Sequence, residues 1–279
     1  MAVAASVTTP ARSSADAGRA ERICIEEASK VYLRRGASPV EALRPTTLAV
    51  EPGEFVSLVG PSGCGKTTLL KLVAGLDRVT GGQITVGERV VTRPDPAVSV
   101  VFQRPALLTW YTVEENVLLP AKISGTLTKD VRTRAAELLE FIGLGDFKDR
   151  YPRELSGGMQ QRASIARALA GEPDVLLMDE PFSALDEFTR ETLHDELLRL
   201  WDSHPKTVIF VTHSISEAVY LSDRVAVMAP RPGRIEQIVD VTLERPRRAE
   251  LRTDPRFYDL VSSIRSSFTH ASATGDERA

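Results

Sequence analysis

The 279 residues contain only two cysteines, Cys24 and Cys64. A disulfide-stapled secreted scaffold carries more of them in a shorter chain, so a reducing, cytoplasmic setting is expected. Long hydrophobic runs are missing as well. A membrane-spanning helix needs roughly 18 to 20 apolar residues, whereas the longest candidates, Val208 to Val211 and Val225 to Ala229, have the length of strands. Nor is there an excess of one charge: 35 Lys plus Arg stand against 38 Asp plus Glu, a formal net charge of −3. Binders of nucleic acid or anionic lipid usually carry a basic surplus, so nucleic acid is not an expected partner. Residues 1–21, rich in Ala, Ser and Thr, lack the apolar core of a signal peptide and read as a disordered tail.

What is present is ordinary globular composition, 42% hydrophobic and 26% charged, in a chain long enough for a substantial core. Phe55, Val56, Leu58 and Val59 form a short apolar run ending at Gly60, and Thr67 to Leu76 follows with helix-compatible Leu69, Leu70, Leu72, Val73 and Leu76. That order is strand, glycine loop, helix. Further runs at Val98 to Phe102, Val175 to Met178 and Val208 to Val211 alternate with helix-like stretches, which predicts an α/β domain with a largely parallel sheet. Between about 104 and 165 the rhythm changes, with Val131, Ala135, Leu138, Leu139 and Ile142 at helical spacing, so a helical insertion is expected there. Past Pro230 the chain has nine Arg and eight acidic residues, too balanced for a polybasic membrane patch and too short for a second sizeable domain.

Gly60 to Thr67 reads GPSGCGKT, two glycines five positions apart followed by Lys and Thr, between a predicted strand and helix. Its glycines let backbone N–H groups converge on phosphate oxygens, and the helix start adds its positive end. Lys66 supplies a point charge for the β and γ phosphates, and Thr67 a hydroxyl for Mg²⁺. A plain glycine turn with a surface lysine is the bland alternative. Val175 to Glu180 reads VLLMDE, a buried strand ending in two carboxylates. Two adjacent acids there point to an ion and a reacting water, with Asp179 on Mg²⁺ and Glu180 on the water. On the hexapeptide alone, a strand followed by a solvated acidic turn reads the same.

Two further segments narrow the chemistry. Leu155 to Gln161 reads LSGGMQQ at the start of a predicted helix running through Arg162 to Ala170, where paired glycines would weaken helix initiation without a functional reason. Together with GPSGCGKT, Gln103, VLLMDE, the SALD of Ser183 to Asp186, and His213 after TVIFVT, it resembles the nucleotide-binding subunit of ABC transporters over roughly residues 22 to 235. The resemblance implies a P-loop NTPase (RecA-like) α/β core with a parallel sheet, an antiparallel β subdomain and the helical insertion. It places the ATPase domain at 22–235 and a C-terminal extension at 236–279.

The resemblance further implies that Tyr32 stacks on adenine and that Gly60, Pro61, Ser62, Gly63, Cys64, Gly65, Lys66, Thr67 and Thr68 cradle the phosphates of ATP. Gln103 would touch Mg²⁺ and the attacking water, and His213 the γ-phosphate. Ser156 and Gly158 would contact the ATP held on a second copy, with Asp186 at the seam between the two. Glu180, His213, Gln103 and Lys66 are thus the expected catalytic set, and Thr67, Gln103 and Asp179 the expected Mg²⁺ set. Two separate membrane permease subunits would build the pore, with the chain on the cytoplasmic face and a solute-binding protein indirectly engaged. Leu107, Leu108, Trp110 and Tyr111 either dock a membrane subunit or anchor the insertion. DEPFSALDEFTRETL, LLTW and APRPGRI resemble the ATPases of nitrate, sulfonate and taurine importers. A soluble ABC-type ATPase acting on ribosomes or DNA is the second reading, and a phosphate-transferring kinase, which leaves LSGGMQQ unexplained, the third. Cys64, inside the phosphate loop at a helix N-terminus, is expected to be a thiol whose alkylation blocks ATP binding.

Overall fold

The computed structural model describes residues 20–33, 36, 38–203 and 205–273; most of the expected tail at 1–21 lies outside them. Strands β1 (Ile23–Tyr32), β2 (Val40–Val50), β3 (Phe55–Val59), β4 (Gly81–Val86), β5 (Arg89–Val90), β6 (Val98–Val101), β7 (Val175–Asp179), β8 (Thr207–Val211), β9 (Arg224–Met228) and β10 (Ile235–Asp240) form two sheets. One is antiparallel, in the order β2-β1-β4-β5. The other runs β10-β9-β3-β8-β7-β6, parallel except for β10.

Both faces of the parallel sheet are covered, which is why β3, β7 and β8 read as unbroken apolar runs and are buried at every position. Side chains still alternate. Phe55, Val59, Leu176, Met178, Val208 and Phe210 enter one core with α5 (Glu187–Ser203), α6 (Ile215–Leu221) and α7 (Pro255–Ala273). Val56, Leu58, Val175, Leu177, Ile209 and Val211 enter a second core with α1 (Lys66–Val73) and the antiparallel sheet. A third cluster joins α2 (Val113–Ser124), α3 (Lys129–Phe141) and α4 (Gly157–Ala170). The expected insertion at about 104–165 therefore holds α2, α3 and the first part of α4.

Two expectations need correction. Helix α1 ends at Val73 with Ala74 as its cap, and Leu76, expected on its apolar face, is 49% exposed in the turn that follows. The expected boundary at 235 falls inside β10, which pairs with β9; beyond it, Val241, Leu243, Phe257 and Ile264 are buried in the first core.

Candidate functional site

In the parallel sheet β3, β8, β7 and β6 lie side by side, with Leu58 opposite Val211, Asp179 opposite Val211 and Val101 opposite Met178. Ligands of such sheets bind beyond the carboxyl ends of the strands. Here those ends carry the Gly60 loop, Thr212 and His213, Asp179 and Glu180, and Gln103. Residues 43 to 153 positions beyond Gly60 in sequence thereby meet its loop at one edge of the sheet.

The loop from Gly60 to Thr67 bends through left-handed backbone at Gly63 and Gly65, with φ of 75° and 99°. Gly65 caps α1, and a Cβ there would lie 2.9 Å from the Ala42 carbonyl, so conformation and space both require glycine. Pro61, Ser62, Gly63 and Thr67 face solvent, Thr68 is partly covered, and Lys66 is buried. The Lys66 ammonium donates to the carbonyls of Gly60 at 2.7 Å and Pro61 at 3.0 Å, which holds a positive charge within the curve of the loop. Arg231, from the APRPGRI segment, donates through Nε to the Gly63 carbonyl at 3.0 Å and braces the loop from outside.

Cys64 corrects the sequence reading. Its thiol is 1% exposed and belongs to the second core, with Lys66 Nζ 3.7 Å from the sulfur. The residue is packed beneath the loop, closed to an alkylating reagent in the folded chain.

Thr67 donates its hydroxyl to Asp179 Oδ1 at 3.1 Å, joining the loop to the end of β7. Burial pushes the Asp179 carboxyl above its ordinary range, and the neighbouring Glu180 charge adds to this, against the opposing effect of Thr67. Glu180 has a φ of 46°, a conformation that costs a non-glycine residue on the order of 1 kcal/mol. That bend turns the second carboxylate away from the strand. Its Oε2 accepts from Gln103 Nε2 at 3.0 Å and lies 3.4 Å from His213 Nδ1. The structure thus brings Lys66, Thr67, Asp179, Glu180, Gln103 and His213 together, and Gln103 reaches Glu180 itself.

Ser156 caps α4 by accepting from the Met159 N–H at 3.3 Å. A Cβ on Gly158 would meet Leu185 Cδ2 at 2.8 Å, so this glycine lets the helix start approach the SALD turn, whereas a Cβ on Gly157 would meet nothing within 4 Å. Asp186 caps α5, accepting from the Thr189 N–H at 3.0 Å, a bond that holds its carboxyl below the usual range. Tyr32 donates to Asp77 Oδ2 at 2.9 Å with the Lys30 ammonium 4.9 Å from its ring centre. Leu107 packs on the helical cluster while Trp110 is 68% exposed beside Tyr111, so the expected docking cluster divides between anchor and surface. A cavity of about 370 Å³ between α3, α5 and the sheet, lined by Phe141, Leu197 and Trp201, contains none of these residues.

The sequence pattern of the ABC transporter family matches residues 43–183, half of the chain. The chain belongs to the ABC transporter family. It is 47% identical over 226 residues to an uncharacterised ABC transporter ATP-binding protein of Methanocaldococcus jannaschii, covering 81% of this chain and 84% of that one. It is 42% identical over 248 residues to the aliphatic sulfonates import ATP-binding protein of Bacillus anthracis, covering 89% and 96%. Two solved cassettes share the fold. A dimeric post-hydrolysis cassette bound to ADP and phosphate has a TM-score of 0.71 at 33% identity, covering 80% of this chain and all of that one. A dimeric bacterial ABC transporter cassette has 0.72 at 34%, with the same coverage. This ABC cassette is an ATP-binding subunit that hydrolyses ATP in support of transport.

Sequence reasoning missed the brace from Arg231 and a buried network behind His213. Glu217, 7% exposed, accepts from His194 at 2.7 Å and from the Thr212 hydroxyl. The spacing of Ser214 and Glu217 signals a helix cap, but nothing local in the sequence points from it to His194.

Proposed function

We propose that this cassette drives import of a small sulfonate-like solute, paired with a second copy beneath two membrane permease subunits on the cytoplasmic face, with a solute-binding protein delivering the solute. The observation that carries the catalytic reading is the meeting of Glu180, Gln103 and His213 beside the Lys66 loop. Import and the sulfonate class rest on the likeness to the Bacillus importer subunit over 89% of the chain. Among the described residues no helix is long and apolar enough to cross a membrane, so the pore falls to other subunits.

In this reading the backbone N–H groups from Gly63 to Thr67 and the Lys66 ammonium bind the β and γ phosphates, while Tyr32 lies against adenine. Both neighbours of Glu180 engage Oε2, so Oε1 is the oxygen that accepts from the attacking water. His213 and Gln103 hold that carboxylate in place, and His213 also meets the γ-phosphate as the bond to the leaving oxygen breaks. Ser156 and Gly158 of the second copy would complete each site at a helix start, where N–H groups face an anion. The Thr67 hydroxyl and Asp179 carboxylate, 3.1 Å apart, are hard oxygen donors that suit Mg²⁺, an ion that keeps several waters and shares phosphate oxygens. They would hold it, and it would neutralise charge on those oxygens.

Glu180→Gln tests the assignment. Turnover should fall by at least about 100-fold while ATP binding is retained and an ATP-bound dimer accumulates on a sizing column. Unchanged steady-state hydrolysis would sink it. For the solute, a strain lacking the subunit should lose growth on aliphatic sulfonates as sole sulfur source. Co-purification of ribosomal or DNA-bound proteins in place of a polytopic membrane subunit would favour the soluble alternative.

A further inference from the structure

Helix α6 begins immediately after His213, at a Ser-x-x-Glu spacing that ordinarily closes a capping box, with the glutamate reaching back to the N–H of the capping residue. Here only half of that box forms. Ser214 accepts from the Glu217 N–H at 3.3 Å, but the Ser214 N–H is satisfied by Thr212 Oγ1 at 3.0 Å. That leaves the Glu217 carboxylate free to turn inward. One oxygen takes the Thr212 hydroxyl and the other takes His194 Nε2 at 2.7 Å, reaching from α5 across the core. A carboxylate only accepts, so the histidine presents Nε2–H and the threonine directs its hydrogen toward Glu217.

Every group in this chain is buried: His194 is 5%, Glu217 7% and Thr212 1% exposed. Thr212 is the residue before His213, whose ring lies 3.4 Å from Glu180. The same imidazole of His194 stands edge-on to Phe182 at 4.9 Å and 72°, and Phe182 lies two residues beyond Glu180. One side chain therefore joins the hydrogen-bonded network next to His213 to a residue two positions beyond Glu180. Removing a buried carboxylate and its partner from water is costly and seldom improves stability over an apolar pair, so stability alone does not account for polar groups at this spot.

We propose that His194, acting through Glu217 and Thr212, is a positioning residue that sets where His213 stands against Glu180. The proposal rests on the reading of Glu180 and His213 given above. It separates turnover from ATP binding, because the phosphate loop takes no part in the network.

The test is steady-state hydrolysis by the full chain with His194→Ala, His194→Gln, Thr212→Val and, in parallel, His213→Ala, with the thermal midpoint of each. Misplacement of catalytic groups by a fraction of an ångström to an ångström costs rate steeply. His194→Ala and Thr212→Val are expected to lower kcat about tenfold with KM for ATP changed by less than about twofold. His194→Gln, which keeps an N–H donor for Glu217, should recover kcat to within about threefold of the native chain at a similar thermal midpoint. Native kcat in Thr212→Val, or a glutamine variant as slow as the alanine one, overturns the proposal even where His194→Ala fails to fold. Those results with a slow His213→Ala reject the positioning role alone; a His213→Ala chain with native turnover removes the catalytic reading beneath it.

Discussion

Asp179 shows what the site demands of a single residue. It ends a strand whose five positions are all buried, and that burial raises its carboxyl pKa above the ordinary value. With the folded value raised, the folded state holds its proton over a window where the unfolded state has released it. Stability is therefore lost as pH rises from the ordinary carboxylate range through the raised one. Asp179→Asn, which can still accept from Thr67, should abolish that loss: its thermal midpoint is expected to exceed the native one at pH 7, with the difference shrinking toward pH 4, while Mg²⁺-dependent hydrolysis disappears. A lower midpoint for the variant at pH 7 would contradict this. Cys64 marks the limit of reading residues one at a time. The sequence put a thiol in a phosphate loop, but which way it points depends on the second core, whose buried residues include Cys64 and make it a core residue. Maleimide should label Cys64 in urea and leave it unlabelled in the folded chain, with mass spectrometry of the peptide as readout.

At the scale of elements, α6 is fixed at both ends. Glu217 holds its first turn. At the other end the Arg247 guanidinium donates to the carbonyls of Val219 at 3.2 Å and Tyr220 at 2.9 Å, and Arg245 donates to Leu221 at 2.8 Å while pairing with Asp223. Last-turn carbonyls of a helix have no partner within it, and arginines from the segment after β10 supply one. Arg247→Met would strand two carbonyls beneath a buried side chain; a loss of about 2 to 3 kcal/mol is expected from urea unfolding. This packing could not be seen in a count of nine arginines against eight acids, because it depends on which carbonyls lie across the fold. Strands β3, β7 and β8 were legible for the opposite reason: burial on both faces makes their apolar character local and continuous. Strand β1 was not legible from periodicity, since register shifts between Ile25 and Ala28 and again up to Val31 break the alternation of its faces. The antiparallel sheet accordingly came only from the family resemblance, while the phosphate loop, whose spacing is its mechanism, was plain in eight consecutive letters.

For the whole molecule, the question is where the LSGGMQQ signature of Leu155 to Gln161 works. Ser156 and Gly158 begin α4 in the helical cluster, which meets the site edge through the segment after β6: Gln161 donates to the Phe102 carbonyl at 3.2 Å, and Arg167 to those of Pro105 and Ala106. Gln103 lies within that same segment and touches Glu180, so this segment joins the helical cluster to the carboxylate proposed to hold the water. If the signature acts on the ATP of a second copy, each of the two sites takes its phosphate loop from one chain and its signature from the other. Lys66→Ala and Ser156→Arg chains should each be inactive alone. Mixed, they form one pair with both lesions in the same site and the other site intact, so activity should return to as much as about a quarter of the native rate with random pairing of equal amounts. A single chain carrying both lesions, mixed with the native chain, damages both sites of the mixed pair and recovers nothing from it. Because a quarter of the pairs in that second mixture are native, both mixtures should reach about a quarter of the native rate; no activity in the first beside about half in the second would place the signature's action within its own chain and leave the helical cluster without a role across the pair.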